Sequence, residues 1–115
     1  MKEYLLLFYN RTGNGAYITT PADMLEDMPR WQQWIGNIAM QGKLISSQPI
    51  EYDGTIVTSK GITAGPFIQQ EILLTGYLLC KAENIEEVKE WCSTCPILKY
   101  EQGSVEIRPV MPFEV

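Results

Sequence analysis

Two runs of this chain are apolar on both faces at once, and they constrain the fold more than any other feature. If residues 2–9 are extended, Tyr4, Leu6 and Phe8 point one way and Leu5, Leu7 and Tyr9 the other. Residues 72–81 are again apolar on both faces. Strands of this kind sit where both faces are covered. The second run is fed by the stretch 61–80, GITAGPFIQQEILLTGYLLC, whose opening, residues 61–66, reads as a glycine-proline loop. The remaining elements can be arranged around these two strands.

Residues 10–17 carry Gly13, Asn14 and Gly15, which is loop chemistry. A helix start follows: Thr20 can cap, Pro21 suits the first helical position, and Asp23 stands where a capping-box acid belongs. Met24, Met28, Trp31, Ile35, Ile38 and Ala39, with Trp34 beside them, recur at helical spacing up to a stop at Gly42. Pro29 falls inside this run, where it costs about 3 kcal/mol, so the expectation is a short turn before it and the main helix after it. Residues 43–50 read as a second strand. Asp53-Gly54 reads as a hairpin turn, and residues 55–59 as the returning strand. Asn84 caps a second helix with Glu86 in its first turn and Glu87 at the box position. Its buried stripe is Ile85, Val88, Trp91, Cys92 and Cys95, and Pro96 ends it. Gly103 opens the last strand, 104–110, with Val105 and Ile107 on one face and Glu106 and Arg108 on the other.

The order β-α-β-β-loop-β-α-β predicts one α+β domain over residues 1–115, a ferredoxin-like antiparallel sheet with two helices on one face. That arrangement leaves the other sheet face bare, and here it is apolar. A monomer rarely exposes such a face, so the expectation is a homodimer closed sheet against sheet.

Composition excludes several functions. The net charge is −5 and the nine Lys and Arg residues are scattered, so direct nucleic-acid binding is not expected. The apolar run at 4–9 is too short for a signal core or a membrane span, which points to a cytoplasmic protein with no membrane partner. Three cysteines, an odd number, fit a reducing compartment. There is no histidine, which removes Ser-His and Cys-His catalysis and the commonest metal ligand.

The remaining candidates each have a plain and a functional reading. Cys92 and Cys95 form a C-x-x-C near a helix C-terminus, where thiolates are not favoured, and Cys80 alone cannot complete a zinc site. Core cysteines are expected, with no metal and no cofactor. Glu106 and Arg108 lie on the face that would meet the partner; they pair with each other, or Arg108 holds an anionic ligand. Trp31 and Trp34 pack the helix on the sheet, or line an aromatic slot. Gly65-Pro66-Phe67 is a turn, or shapes a ligand loop with backbone N–H groups near Gly61 and Gly65. Glu51 and Glu71 are isolated acids, Tyr77 reads as dimer core, and no catalytic residue is nominated.

The tract from Thr63 onward resembles the YCII-related family, also called the DGPF family. The matching residues are Ala64-Gly65-Pro66-Phe67, Gly76-Tyr77, Cys95-Pro96-Ile97-Leu98 and Gly103-Ser104-Val105-Glu106-Ile107-Arg108-Pro109-Val110. Upstream, Tyr4-Leu5-Leu6-Leu7, a Met-rich first helix, and Gly42-Lys43-Leu44 leading to Gln48-Pro49 also fit, so the resemblance spans essentially the whole chain. It implies a bacterial protein with the ferredoxin-like fold, a dimeric α/β-barrel assembly, and a pocket between the first helix and the Gly-Pro-Phe loop. Family members often place a His on the first helix and an Asp at the head of that loop, a pair read as an acid-base dyad. In this chain Trp31 matches the His position and Ala64 the Asp position, and Gln69 stands where an acid is common. The candidate ligand-binding residues are therefore Trp31, Trp34, Ala64, Gly65, Pro66, Phe67, Glu106 and Arg108.

Three functions follow as expectations. The first is a small dimeric binding or regulatory module for an acidic or aromatic ligand, without the family's dyad. The second is an enzyme using other cleft groups, such as Glu106 with Arg108, or Tyr77. The third, implied by the resemblance, is a protein partner of an extracytoplasmic-function sigma factor.

Overall fold

The computed structural model describes residues 1–11 and 21–113. Of the expected loop at 10–17, Asn10 and Arg11 instead extend the first strand, and residues 12–17 lie outside the described residues, as does the Thr20 cap. The elements are β1 (Lys2–Arg11), α1 (Pro21–Met40), β2 (Leu44–Pro49), β3 (Gly54–Thr58), β4 (Gly61–Gly65), β5 (Ile68–Gln69), β6 (Ile72–Ala82), α2 (Ile85–Cys92), a 3-10 turn (Pro96–Lys99) and β7 (Ser104–Pro109).

The two doubly apolar runs become the two central strands. The main sheet runs β2-β6-β1-β7, with β5 also beside β6. β1 is antiparallel to both β6 and β7, with Leu6 opposite Leu78 on one side and Ile107 on the other. Tyr4, Leu6, Phe8 and Asn10 are buried on the face that packs against Trp34, Ile38, Val88 and Cys92. Fully burying Leu6, Ile38, Leu78 and Val88 contributes about 1.5–3 kcal/mol each. Leu5, Leu7, Tyr9, Tyr77 and Leu79 point to the opposite face and are only half-buried. The α+β architecture is thus the expected one, with the helices on one face of an antiparallel sheet.

Five further local expectations are corrected. Residues 21–40 form one helix through Pro29, not a turn followed by a helix. Pro29 is exposed, and the tertiary contacts of Trp34 and Ile38 hold the helix beyond it. The buried stripe of α1 also shifts. It runs Asp27, Trp34 and Ile38, with Trp31 and Ile35 half-buried and Ala39 exposed.

Asp53-Gly54 does not return β2 upon itself. β2 pairs with β6, while β3 pairs with β4 in a separate hairpin whose tip is Ser59-Lys60, between the paired Thr58 and Gly61. The expected loop at 61–66 is therefore mostly strand β4. Finally, α2 ends at Cys92, and Pro96 opens the 3-10 turn rather than closing the helix.

The predicted caps that can be seen are made. Asn84 Oδ1 accepts the Glu87 backbone N–H at 3.1 Å. Gly42, at φ +72°, lets its own N–H reach the Ala39 carbonyl at 2.9 Å and ends α1.

Candidate functional site

A cavity of about 530 Å³ lies between α1 and the helix-facing side of the sheet. The sheet supplies Phe8, Asn10, Thr75 and Gly76; α1 supplies Asp27, Trp31, Ile35 and Gly36; and the segment after α2 supplies Ile97 and Tyr100. A register irregularity between Phe8 and Tyr9, opposite Thr75, sits at this wall. Thr75 Oγ1 donates to the Phe8 carbonyl at 3.1 Å there. Bulges of this kind commonly re-aim side chains beside sites.

Its aromatic wall is built edge to face. The Phe8 and Trp31 ring centroids lie 4.9 Å apart at 72°, and Trp31 and Trp34 lie 5.9 Å apart at 90°. Trp34 does not line this cavity. It is buried, and its indole N–H donates to the Trp91 carbonyl at 2.8 Å, tying α1 to α2. Of the two tryptophans, Trp31 is the cavity residue and Trp34 the core residue.

Two polar groups of the cavity, Asn10 and Asp27, were missed by sequence reasoning. Asn10 is 4% exposed, and its side-chain oxygen accepts the Arg11 backbone N–H at 2.8 Å. An N–H can only donate, so this bond identifies the oxygen and leaves the amide NH₂ as the other terminus. That NH₂ has no hydrogen-bond partner among the described residues. Asp27 is 8% exposed. Its Oδ1 accepts from Lys99 Nζ at 2.7 Å, and its Oδ2 accepts from the Tyr100 hydroxyl. Burial alone would raise the Asp27 pKa. The hydrogen bonds from Lys99 and Tyr100 and the charges of Lys99 and Arg30 outweigh it, holding the carboxyl below its ordinary range. The same pairing raises Lys99.

Signals for both residues existed. Asn10 continues the alternation Tyr4, Leu6, Phe8, and Asp27 lies one helical turn before Trp31. A search for apolar residues passes over both.

Of the other sequence candidates Tyr77 also lines the cavity, and the rest lie elsewhere. Ala64, Gly65, Pro66 and Phe67 are not among the cavity's lining residues; Ala64 is exposed on β4 and Phe67 is 73% exposed. Glu106 and Arg108 are exposed on the half-buried sheet face, 3.6 Å apart, and Tyr9 donates to Glu106 at 3.0 Å. Burial, then this hydrogen bond to Glu106, pushes the Tyr9 hydroxyl pKa up. Tyr77 shares a hydrogen bond with Ser46 at 2.8 Å, and Glu71 pairs with Arg11 at 2.8 Å. Cys80, Cys92 and Cys95 are buried free thiols, raised by burial to about 11, about 11 and about 12.

The YCII-related domain model matches residues 4–114. The chain belongs to the YCII-related family. No curated protein matches it. Among solved structures it is similar to 5-chloro-2-hydroxyhydroquinone dehydrochlorinase (TftG) from Burkholderia phenoliruptrix AC1100, in complex with 2,5-dihydroxybenzoquinone. That likeness has a TM-score of 0.55 and 13% identity, over 92% of this chain and 90% of that one. At this identity it supports the α+β fold of this YCII-related chain and nothing finer. No helix among the described residues is long and apolar enough to cross a membrane.

Proposed function

We propose that this YCII-related protein binds a small planar, largely apolar molecule carrying an oxygen acceptor, in the cavity between α1 and the sheet. One observation carries the reading: the Asn10 amide NH₂ is buried at an aromatic-walled cavity with no acceptor among the described residues. An unpaired buried donor costs about 1–3 kcal/mol, and a ligand oxygen would recover it. Phe8 and Trp31 offer ring faces and edges for a flat ligand. The TftG structure adds support of class only, since the compound in its complex is an oxygenated ring.

The resemblance matches Trp31 to a position where a His often stands, and we read the Trp31 wall as a binding surface in place of a proton-transfer group; Ala64, matched to the Asp, does not line this cavity. Glu106 and Arg108 are paired on the other sheet face and Tyr77 is engaged with Ser46, so an enzyme built on those groups loses its support. For the half-buried face bearing Leu5, Leu7 and Leu79 we retain a second copy of the chain as the partner.

Titration calorimetry with benzaldehyde and 1,4-benzoquinone tests the cavity. Asn10→Ala should weaken binding about tenfold, the loss of one buried hydrogen bond. Gly36 lines the cavity, and a Cβ there meets nothing within 4 Å. Gly36→Leu should therefore fold, fill the space and abolish binding. If neither compound binds, or both variants bind like the wild type, the cavity is not the site.

A further inference from the structure

The proposed function uses one polar pole of the cavity, the Asn10 amide on the sheet. The second pole is Asp27 on α1. It is a carboxylate buried to 8% exposure, ionised, and among the residues lining the cavity. Among the described residues each of its oxygens accepts one bond, from Lys99 and from Tyr100. A carboxylate has about four acceptor sites, so about two stay open. Lys99 and Tyr100 approach from the segment after α2, while Trp31 follows Asp27 by one turn on the same helix. The carboxylate is thus held between a structural clip and the aromatic wall. Asp27 is the only carboxylate among the described lining residues, which also carry the neutral polar side chains of Gln32, Ser47, Gln48 and Thr75.

We propose that Asp27 is a specificity residue that accepts a hydrogen bond from a neutral hydroxyl on the ligand, while Asn10 donates to an oxygen elsewhere on it. The ligand class is then narrower than a planar oxygenated ring: it is a hydroxylated aromatic or quinonoid carbonyl compound. Such a molecule matches one buried donor with its carbonyl and one buried acceptor with its hydroxyl. A ring lacking the hydroxyl leaves the open Asp27 sites dry and unpaired, a penalty that discriminates more strongly than apolar contact does. The inference rests on the cavity being the binding site.

The test is calorimetry with 4-hydroxybenzaldehyde and 4-methylbenzaldehyde, near-isosteres differing in the donor, at a pH where the phenol is neutral. The wild type should bind the hydroxy compound about tenfold tighter, as a hydrogen bond to a charged acceptor provides. Asp27→Asn should bring the ratio to within about threefold. If the wild type binds both equally, the Asp27 assignment is overturned while the cavity reading stands on its Asn10 dependence. A preference that survives Asp27→Asn also overturns it. If neither aldehyde binds, the cavity reading fails and this inference falls with it. Should Asp27→Asn not fold, as judged by circular dichroism, Asp27→Glu keeps the charge but moves the oxygens by one methylene. It should lower the ratio at least about threefold, and an unchanged ratio would overturn the assignment.

Discussion

At the scale of single residues, the informative positions are polar groups placed where the pattern calls for apolar ones. Asp27 occupies a core position of α1 and is retained there by Lys99 and Tyr100. Its pKa is lowered in the fold, so the unfolded chain binds its proton more readily. Its contribution to stability is therefore fully present above the ordinary carboxylate pKa and fades as pH falls through the lowered folded value. The groups facing it are Lys99, Tyr100, Glu26 and Arg30, and both basic groups remain charged across that range. Tyr100→Phe removes one hydrogen bond to a charged acceptor and should cost about 1–3 kcal/mol near neutral pH. Urea unfolding near neutrality and again at about pH 2.5 should show the wild-type advantage shrinking in acid. An advantage that is constant with pH would mean that Asp27 is not ionised in the fold.

Among the elements, the two long strands and both helices were legible because their apolar periods are long and consistent. The short turn between β5 and β6 was not. Gln69 pairs with Ile72, so Gln70 and Glu71 are the two turn residues, with φ of 53° and 67°. Such a turn normally uses Asn or Gly, which tolerate positive φ; here residues without that tolerance are held by the sheet and by Arg11 on Glu71. Gln70→Asn should therefore stabilise the protein, by about 0.5–1 kcal/mol in urea unfolding. A loss of stability would show that the Gln70 side chain contributes a contact outweighing its backbone strain. The β3–β4 hairpin was misread for a related reason. Asp53-Gly54 has turn chemistry, yet β2 is claimed by β6, so the dipeptide only leads into a new strand.

On the scale of the whole molecule, the chain is a slab of 40 × 40 × 19 Å, a two-layer thickness. One side of the sheet is covered by the helices. The other presents half-buried Leu5, Leu7 and Leu79; the β3–β4 hairpin carries Val57 and Ile62, and Phe67 follows it, each more than 70% exposed. A second copy closing sheet against sheet would remove the sheet-face leucines from water. Native mass spectrometry should give a dimer. Leu7→Glu should convert it to a folded monomer, because a half-buried outer position tolerates charge only when unpartnered. A wild-type monomer would refute the pairing, and an unfolded Leu7→Glu chain would place Leu7 in the intrachain core instead.

By itself, the sequence determined the two central strands, the helices with their Gly42 and Asn84 ends and the α+β class, because each rests on local spacing and capping; the family came from the resemblance of its motifs. It also named Trp31 as a candidate, and the structure puts that residue on the cavity wall. Only the tertiary structure decided which strand β2 pairs with, that α1 runs through Pro29, and that Trp34 belongs to the core. It alone brought Asn10, Asp27 and Tyr100 to one cavity. These outcomes depend on contacts between residues as far as 73 positions apart, which no local period encodes. A polar residue buried by such contacts is indistinguishable in the sequence from one on the surface.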